Sequence, residues 1–116
     1  MKKEDLLNKI KDLAEDKKAY RPVIVDLKGM SDICSHQIIC SGGTEKHTIA
    51  IAKNIQIQIK NEFGIIPENV EGLTTGEWIL LDYGSTIVHI FLDSLRKYYA
   101  LEDLWGKVNV NERSAV

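Results

Sequence analysis

Between Glu4 and about Lys18, Leu6, Ile10 and Leu13, together with Leu7 and Ala14, recur at intervals of three and four, with acids in the first turn. That spacing predicts an amphipathic helix laying one face on a sheet. Pro22 closes the segment, and Val23-Ile24-Val25-Asp26-Leu27, ended by Lys28-Gly29, is a short β-branched run that fits a buried strand. A second strand is expected over Gln37-Ile38-Ile39-Cys40. It leads into Ser41-Gly42-Gly43-Thr44, where two glycines permit a sharp turn and Thr44 can cap a helix.

From Glu45 to Phe63 two periods compete. Ile55, Ile57 and Ile59 alternate as a strand would, whereas Ala52, Ile55, Ile59 and Phe63 follow helical spacing. Helix is the better reading, because the segment is too long for a typical strand, Thr44 starts it, and Gly64 and Pro67 stop it. The surplus isoleucines then imply a second apolar stripe. Asn69-Val70-Glu71 reads as a short edge strand, Glu77 to Asp82 as a strand, and Tyr83-Gly84-Ser85 as the turn of a hairpin completed by Thr86 to Leu92. Asp93 or Ser94 can cap helical material over Leu95–Tyr99 and Leu101–Trp105, and Asn109 to Val116 reads as a polar, frayed end. The pattern describes one α/β domain over residues 1–106 with a polar tail over 107–116, without internal repeats or an interdomain linker.

With 116 residues, 44% of them hydrophobic, the chain can build an ordinary single core. Fifteen Lys and Arg against 17 Asp and Glu give a net charge of -2, so no global positive field draws the protein to nucleic acid. A partner must be recognised locally. Cys34 and Cys40 form no dense framework, which suits reduced thiols and a cytoplasmic setting. Met1-Lys2-Lys3 runs straight into Glu4-Asp5, unlike a secretory or transit segment, and no run approaches the ~20 apolar residues of a membrane span.

The junction Ser41 to His47 could hold an anion at a helix N-terminus, but it lacks the lysine placement of a phosphate-cradling loop. A tight turn with a capped helix is the better reading. Cys34, His36, Cys40, His47 and His89 are zinc-ligand types without paired spacing, so no metal is expected. Cys40 on a strand reads as a small core residue, and His89 in an apolar strand as a hydrogen-bonded core histidine. Two-metal nucleotidyl transfer asks for carboxylates two positions apart on a strand. Asp26 is followed at that distance by Lys28 and Asp82 by Gly84, so neither strand supplies the pair, and no cofactor is expected. Asp32, Asp82 and Asp93 each have a turn or cap explanation.

Glu77-Trp78-Ile79-Leu80-Leu81-Asp82-Tyr83 is the most informative stretch, because it sets two large aromatics and an acid in one short span. Trp and Tyr are favoured interface anchors, although a single aromatic in an apolar strand is more often core. Along a regular strand Trp78, Leu80 and Asp82 face one side and Ile79, Leu81 and Tyr83 the other. Tyr83 joins Trp78 only if the turn re-aims it.

These residues resemble the Iojap or ribosomal silencing factor family. The similar blocks are Asp26-Leu27-Lys28-Gly29-Met30-Ser31-Asp32, Ile39-Cys40-Ser41-Gly42 with His47, Val70-Glu71-Gly72, Gly76 to Gly84, Val88-His89-Ile90-Phe91 and Tyr99 to Trp105, all in family order. The resemblance implies a mixed central β-sheet flanked by helices, similar to the nucleotidyltransferases but without their catalytic motif. It implies a non-enzymatic translation repressor that binds ribosomal protein fourteen of the large ribosomal subunit and sterically blocks joining of the small subunit. It also implies a homodimer. Carried onto matching positions, Trp78, Leu81, Asp82 and Tyr83 are the residues expected to touch the ribosomal protein, with Leu80 as the parity alternative to Leu81. Ser41-Gly42-Gly43-Thr44 departs from the family by its extra glycine. The competing reading is a nucleotidyltransferase-like enzyme that uses the Ser41–Thr44 loop for phosphate. Neither reading involves sequence-specific nucleic acid binding or a membrane.

Overall fold

A computed structural model describes residues 3–27 and 36–95. Expectations about Asp32, Cys34, residues 96–105 and the tail over 107–116 lie outside the described residues. The described chain runs α1 (Lys3–Asp16), β1 (Tyr20–Asp26), β2 (His36–Gly42), α2 (Glu45–Phe63), β3 (Asn69–Glu71), β4 (Trp78–Asp82) and β5 (Thr86–Leu92), and Asp93 to Leu95 begin a further helical turn.

The helical reading of α2 prevails for the reason its ends suggested. Thr44 is extended, with φ -140 and ψ 166, and its side-chain oxygen accepts the His47 N–H at 3.1 Å, relieving one unpaired donor of the first turn. At the other end Gly64 takes a left-handed conformation, and its N–H donates to the Lys60 carbonyl at 2.9 Å. Between them Thr48, Ile51, Ala52, Ile55 and Ile59 are buried at helical spacing. Ile57, the member of the strand-like alternation that helical geometry turns outward, is 55% exposed.

The strands form one five-stranded mixed sheet in the order β1-β2-β5-β4-β3. β2 and β5 pair in parallel at its centre, while β1 with β2, β4 with β5 and β3 with β4 pair antiparallel. A parallel pair needs a long crossover, and α2 supplies it together with the β3–β4 hairpin. Central position explains why every residue of β2 is buried. The outer strands are blunted: β1 carries Pro22 and a register shift between Tyr20 and Val23, and β3 is three residues long with Asn69 and Glu71 at its ends.

Strand alternation gives the sheet two apolar faces. On one, Ile24, Ile38, Cys40, Ile79, Leu81, Tyr83, Val88 and Ile90 pack with Leu6, Leu7, Ile10, Leu13 and Ala14 of α1 and the buried residues of α2. The other carries Val23, Val25, Leu27, Ile39 and Phe91, with Trp78 and Ile87 packed against them. Cys40 lies fully buried in the first cluster, as its strand position suggested.

Candidate functional site

β4 carries the aromatic and acidic stretch, and its parity decides which side chains can act together. Trp78, Leu80 and Asp82 are partly exposed on the sheet face turned away from the helices. Ile79 and Leu81 point the other way and are fully buried, and Tyr83, 8% exposed, continues that alternation into the helix-side core. The hairpin turn does not re-aim it. The five residues singled out in the sequence thus divide: the structure brings Trp78, Leu80 and Asp82 together and sets Leu81 and Tyr83 beneath them.

Position along the sheet comes from pairing with β5, in which Trp78 faces Phe91, Leu80 faces His89 and Asp82 faces Ile87. The indole of Trp78 stacks on Phe91 with ring centroids 5.0 Å apart at 30°. Its Nε1–H donates to Nδ1 of His89 at 3.1 Å, across the diagonal of the ladder. His89 and Phe91 are themselves nearly parallel, at 9° and 6.1 Å, so the two rings of β5 form a platform under one edge of the indole. Burial of His89 lowers its pKa from the ordinary 6.5 to about 4, because an imidazolium there would lose its hydration. The ring is therefore neutral at pH 7. Since Nδ1 accepts from Trp78, the ring proton resides on Nε2.

Asp82 holds the hairpin as well as facing outward, since its Oδ1 accepts the Gly84 N–H at 2.8 Å. On the neighbouring β3, Asn69 pairs with Asp82 and Glu71 with Leu80, and the Asn69 amide donates to the Glu71 carboxylate at 3.0 Å. The chain segment that carries this face is acidic in sequence. From Asn61 to Leu95 the chain contains Glu62, Glu68, Glu71, Glu77, Asp82 and Asp93, and no lysine or arginine.

The turn before β4 is fixed from two sides. Gly72 has φ 84, and a Cβ there would collide with the Trp78 carbonyl oxygen, so glycine is required for the backbones to approach. Gly76, at φ 75, leaves no space for a Cβ against Glu45 and Thr48 of α2. The buried Thr48 hydroxyl donates to the Gly76 carbonyl at 2.6 Å. Glu77 continues the tie, its carbonyl accepting the Leu92 N–H at 2.8 Å. The roles of Thr48, Gly72 and the His89 contact depend on the tertiary register and carry no local sequence signal.

The Ser41–Thr44 junction has a different organisation. Gly43 N–H donates to Nδ1 of His47 at 3.0 Å, and His47 Nε2 donates to the Lys17 carbonyl at 2.7 Å, so the imidazole clamps the end of α1 to the start of α2. Tyr20 meets the same ring edge-on at 5.6 Å. His47 is thereby a structural staple of this junction. Asp26 lies 3.9 Å from His36, and among the described residues no three His, Cys, Asp or Glu side chains converge as a metal site. No described helix is long and apolar enough to cross a membrane.

A five-stranded mixed sheet with α1 and α2 packed on one face, presenting an oriented indole from an acidic stretch of chain, defines a small mixed α/β domain with an aromatic and acidic face. The family model described as "Ribosomal silencing factor during starvation" matches residues 1–116. A ribosomal silencing factor of Halalkalibacterium halodurans is 36% identical over 116 residues, covering 100% of this chain and 98% of that protein. One from Bacillus subtilis is 38% identical over 92 residues, covering 79% of this chain and 77% of its own. A crystal structure of a Chromobacterium violaceum protein superposes with a TM-score of 0.88 at 28% identity, covering 100% of this chain and 94% of that one. The chain belongs to the ribosomal silencing factor family.

Proposed function

We propose that the protein represses translation by binding ribosomal protein fourteen of the large ribosomal subunit and sterically blocking the small subunit from joining. The observation that carries the reading is the half-buried Trp78, oriented on β4 beside Leu80 and Asp82 within a segment free of basic residues. An indole that already has a fixed orientation loses little conformational freedom on docking. The acids of that segment, Asp82 among them, favour encounter with a basic ribosomal protein and disfavour direct approach to RNA phosphates.

In this reading Trp78 and Leu80 fill apolar recesses on the partner and Asp82 pairs with one of its cations. Leu81 and Tyr83, buried under the strand, act from beneath by holding β4 flat against the core. The protein acts in the cytoplasm, without cofactor or catalysis. We assign it a homodimeric state on the family resemblance, with the outward Ile57 as a compatible apolar contact.

Sedimentation of purified subunits with the protein tests the mechanism. Comigration with the large subunit and loss of joined ribosomes are expected. Joining that proceeds unhindered at saturating protein rejects it. Sedimentation equilibrium of the free protein tests the dimer.

A further inference from the structure

We infer that His89 is the positioning residue of the docking site, selecting through its Nδ1 the one orientation of the Trp78 indole that meets the partner. The inference rests on the reading of Trp78 as the anchor.

Stacking alone does not fix an indole. Rotation by half a turn about the outer side-chain torsion leaves the ring over Phe91 while moving the six-membered ring and the N–H to opposite sides. The hydrogen bond from Nε1 to His89 Nδ1 breaks that near-degeneracy, because only one of the two orientations brings the N–H to the imidazole. His89 is itself held in place. It is 5% exposed, lies cross-strand from Leu80, and sits nearly parallel to Phe91 on the same face of β5.

The other ring nitrogen shows that this arrangement is not the choice that best stabilises the fold. With Nδ1 accepting, Nε2 carries the proton, and Nε2 is buried with no hydrogen-bond partner among the described residues. A buried donor without an acceptor destabilises the folded state, and an apolar side chain of similar volume would avoid the penalty. A residue that orients Trp78 at the expense of core stability has the signature of a functional position. A purely structural histidine would have both ring nitrogens satisfied, as His47 does through Gly43 and Lys17.

The experiment compares wild type, His89→Leu, His89→Asn and Trp78→Ala as full chains, measuring urea stability, affinity for purified large ribosomal subunits and hydrogen-exchange protection of the Trp78 indole N–H by NMR. His89→Leu is expected to be as stable as wild type or more so, to lose protection of the indole N–H, and to bind about three- to tenfold more weakly, the penalty of immobilising one freed side chain. His89→Asn places an amide oxygen near the Nδ1 position and is expected to restore both protection and affinity. Undiminished binding by His89→Leu overturns the positioning role. So does a parallel fall of stability and affinity, or failure of that variant to fold, since either would mark a structural residue. Trp78→Ala separates the two ideas: if it binds as tightly as wild type, the docking reading itself has failed, whereas loss of binding there with full binding by His89→Leu rejects only the role given to the histidine.

Discussion

Arg21 and Asp93 stand 72 residues apart in the chain, and the Arg21 guanidinium donates to the Asp93 carboxylate at 2.6 Å. The same Oδ1 accepts the hydroxyl of Ser41 at 2.8 Å. One carboxylate at the end of β5 thereby fastens the irregular start of β1 and the end of β2, at the point where Arg21 adopts a left-handed φ of 47. Backbone strain of that kind persists only where surrounding contacts over-determine it.

The two ends of this contact should differ in weight. Arg21→Ala removes a charged partner that is about one-third exposed, and is expected to lower stability by about 1 kcal/mol. Asp93→Ala also deprives the buried Ser41 hydroxyl of an acceptor, which raises the loss to about 2 kcal/mol. Urea denaturation of both variants checks the order. An Asp93→Ala loss no larger than that of Arg21→Ala would mean that Ser41 gains nothing from the carboxylate.

Adjacent leucines on β4 offer a sharper comparison. Leu81→Ala empties a fully buried position in the helix-side core and is expected to destabilise the fold by about 3 kcal/mol. Leu80→Ala, on the partly exposed face, should change stability far less while weakening large-subunit binding by about tenfold. Trp78→Ala should weaken it further, by about thirtyfold, corresponding to ~2 kcal/mol. Denaturation and binding measured on the same preparations distinguish the faces. If Leu81→Ala keeps full stability and loses binding, the assignment of faces is reversed.

This division was legible in the sequence as far as strand parity reaches. Period-two alternation separates Trp78, Leu80 and Asp82 from Ile79, Leu81 and Tyr83, and it extends one residue past the strand to Tyr83, which stays with the core. Thr44 and Gly64 likewise marked the ends of α2, because caps act through neighbouring backbone groups. What sequence did not contain was register. Whether His89 meets Trp78 depends on Leu80 pairing with His89 and Trp78 with Phe91, and whether His47 reaches Lys17 depends on how α1 packs against α2. The parallel pairing of β2 with β5 also joins segments with α2 and a hairpin between them, a relationship no local period encodes.

Thr48 illustrates such a long-range dependence. Replacing it by valine keeps the shape but removes the hydroxyl that donates to the Gly76 carbonyl, so a buried carbonyl loses its partner. A stability loss of about 1–2 kcal/mol is expected. Because Gly76 precedes the strand that carries Trp78, the variant should also bind large subunits more weakly than its residual folded fraction accounts for. Binding that tracks the folded fraction alone would confine Thr48 to fold stability.

The pH dependence of stability follows from two buried groups with opposite limbs. For His89 the folded pKa is about 4, against 6.5 when exposed. As pH falls below about 6.5 the unfolded chain takes up a proton that the folded chain refuses until about pH 4, so the unfolded state binds more protons and stability declines over that window. The gap corresponds to a loss of at most about 3 kcal/mol, levelling off below pH 4. Tyr83 behaves in the reverse sense: burial raises its pKa from 10.0 to about 12, so between those values the unfolded chain releases a proton that the folded chain retains, and stability declines as pH rises. Urea midpoints measured across pH should therefore fall at both ends. His89→Leu should flatten the acid limb and leave the alkaline one. Tyr83→Phe should flatten the alkaline limb, and because the Tyr83 hydroxyl is buried without a hydrogen-bond partner among the described residues, it should also raise stability at pH 7 by about 1 kcal/mol. An acid limb unchanged in His89→Leu would show that the histidine is already accessible to protons in the native fold, and would remove the basis for its neutral ring at low pH.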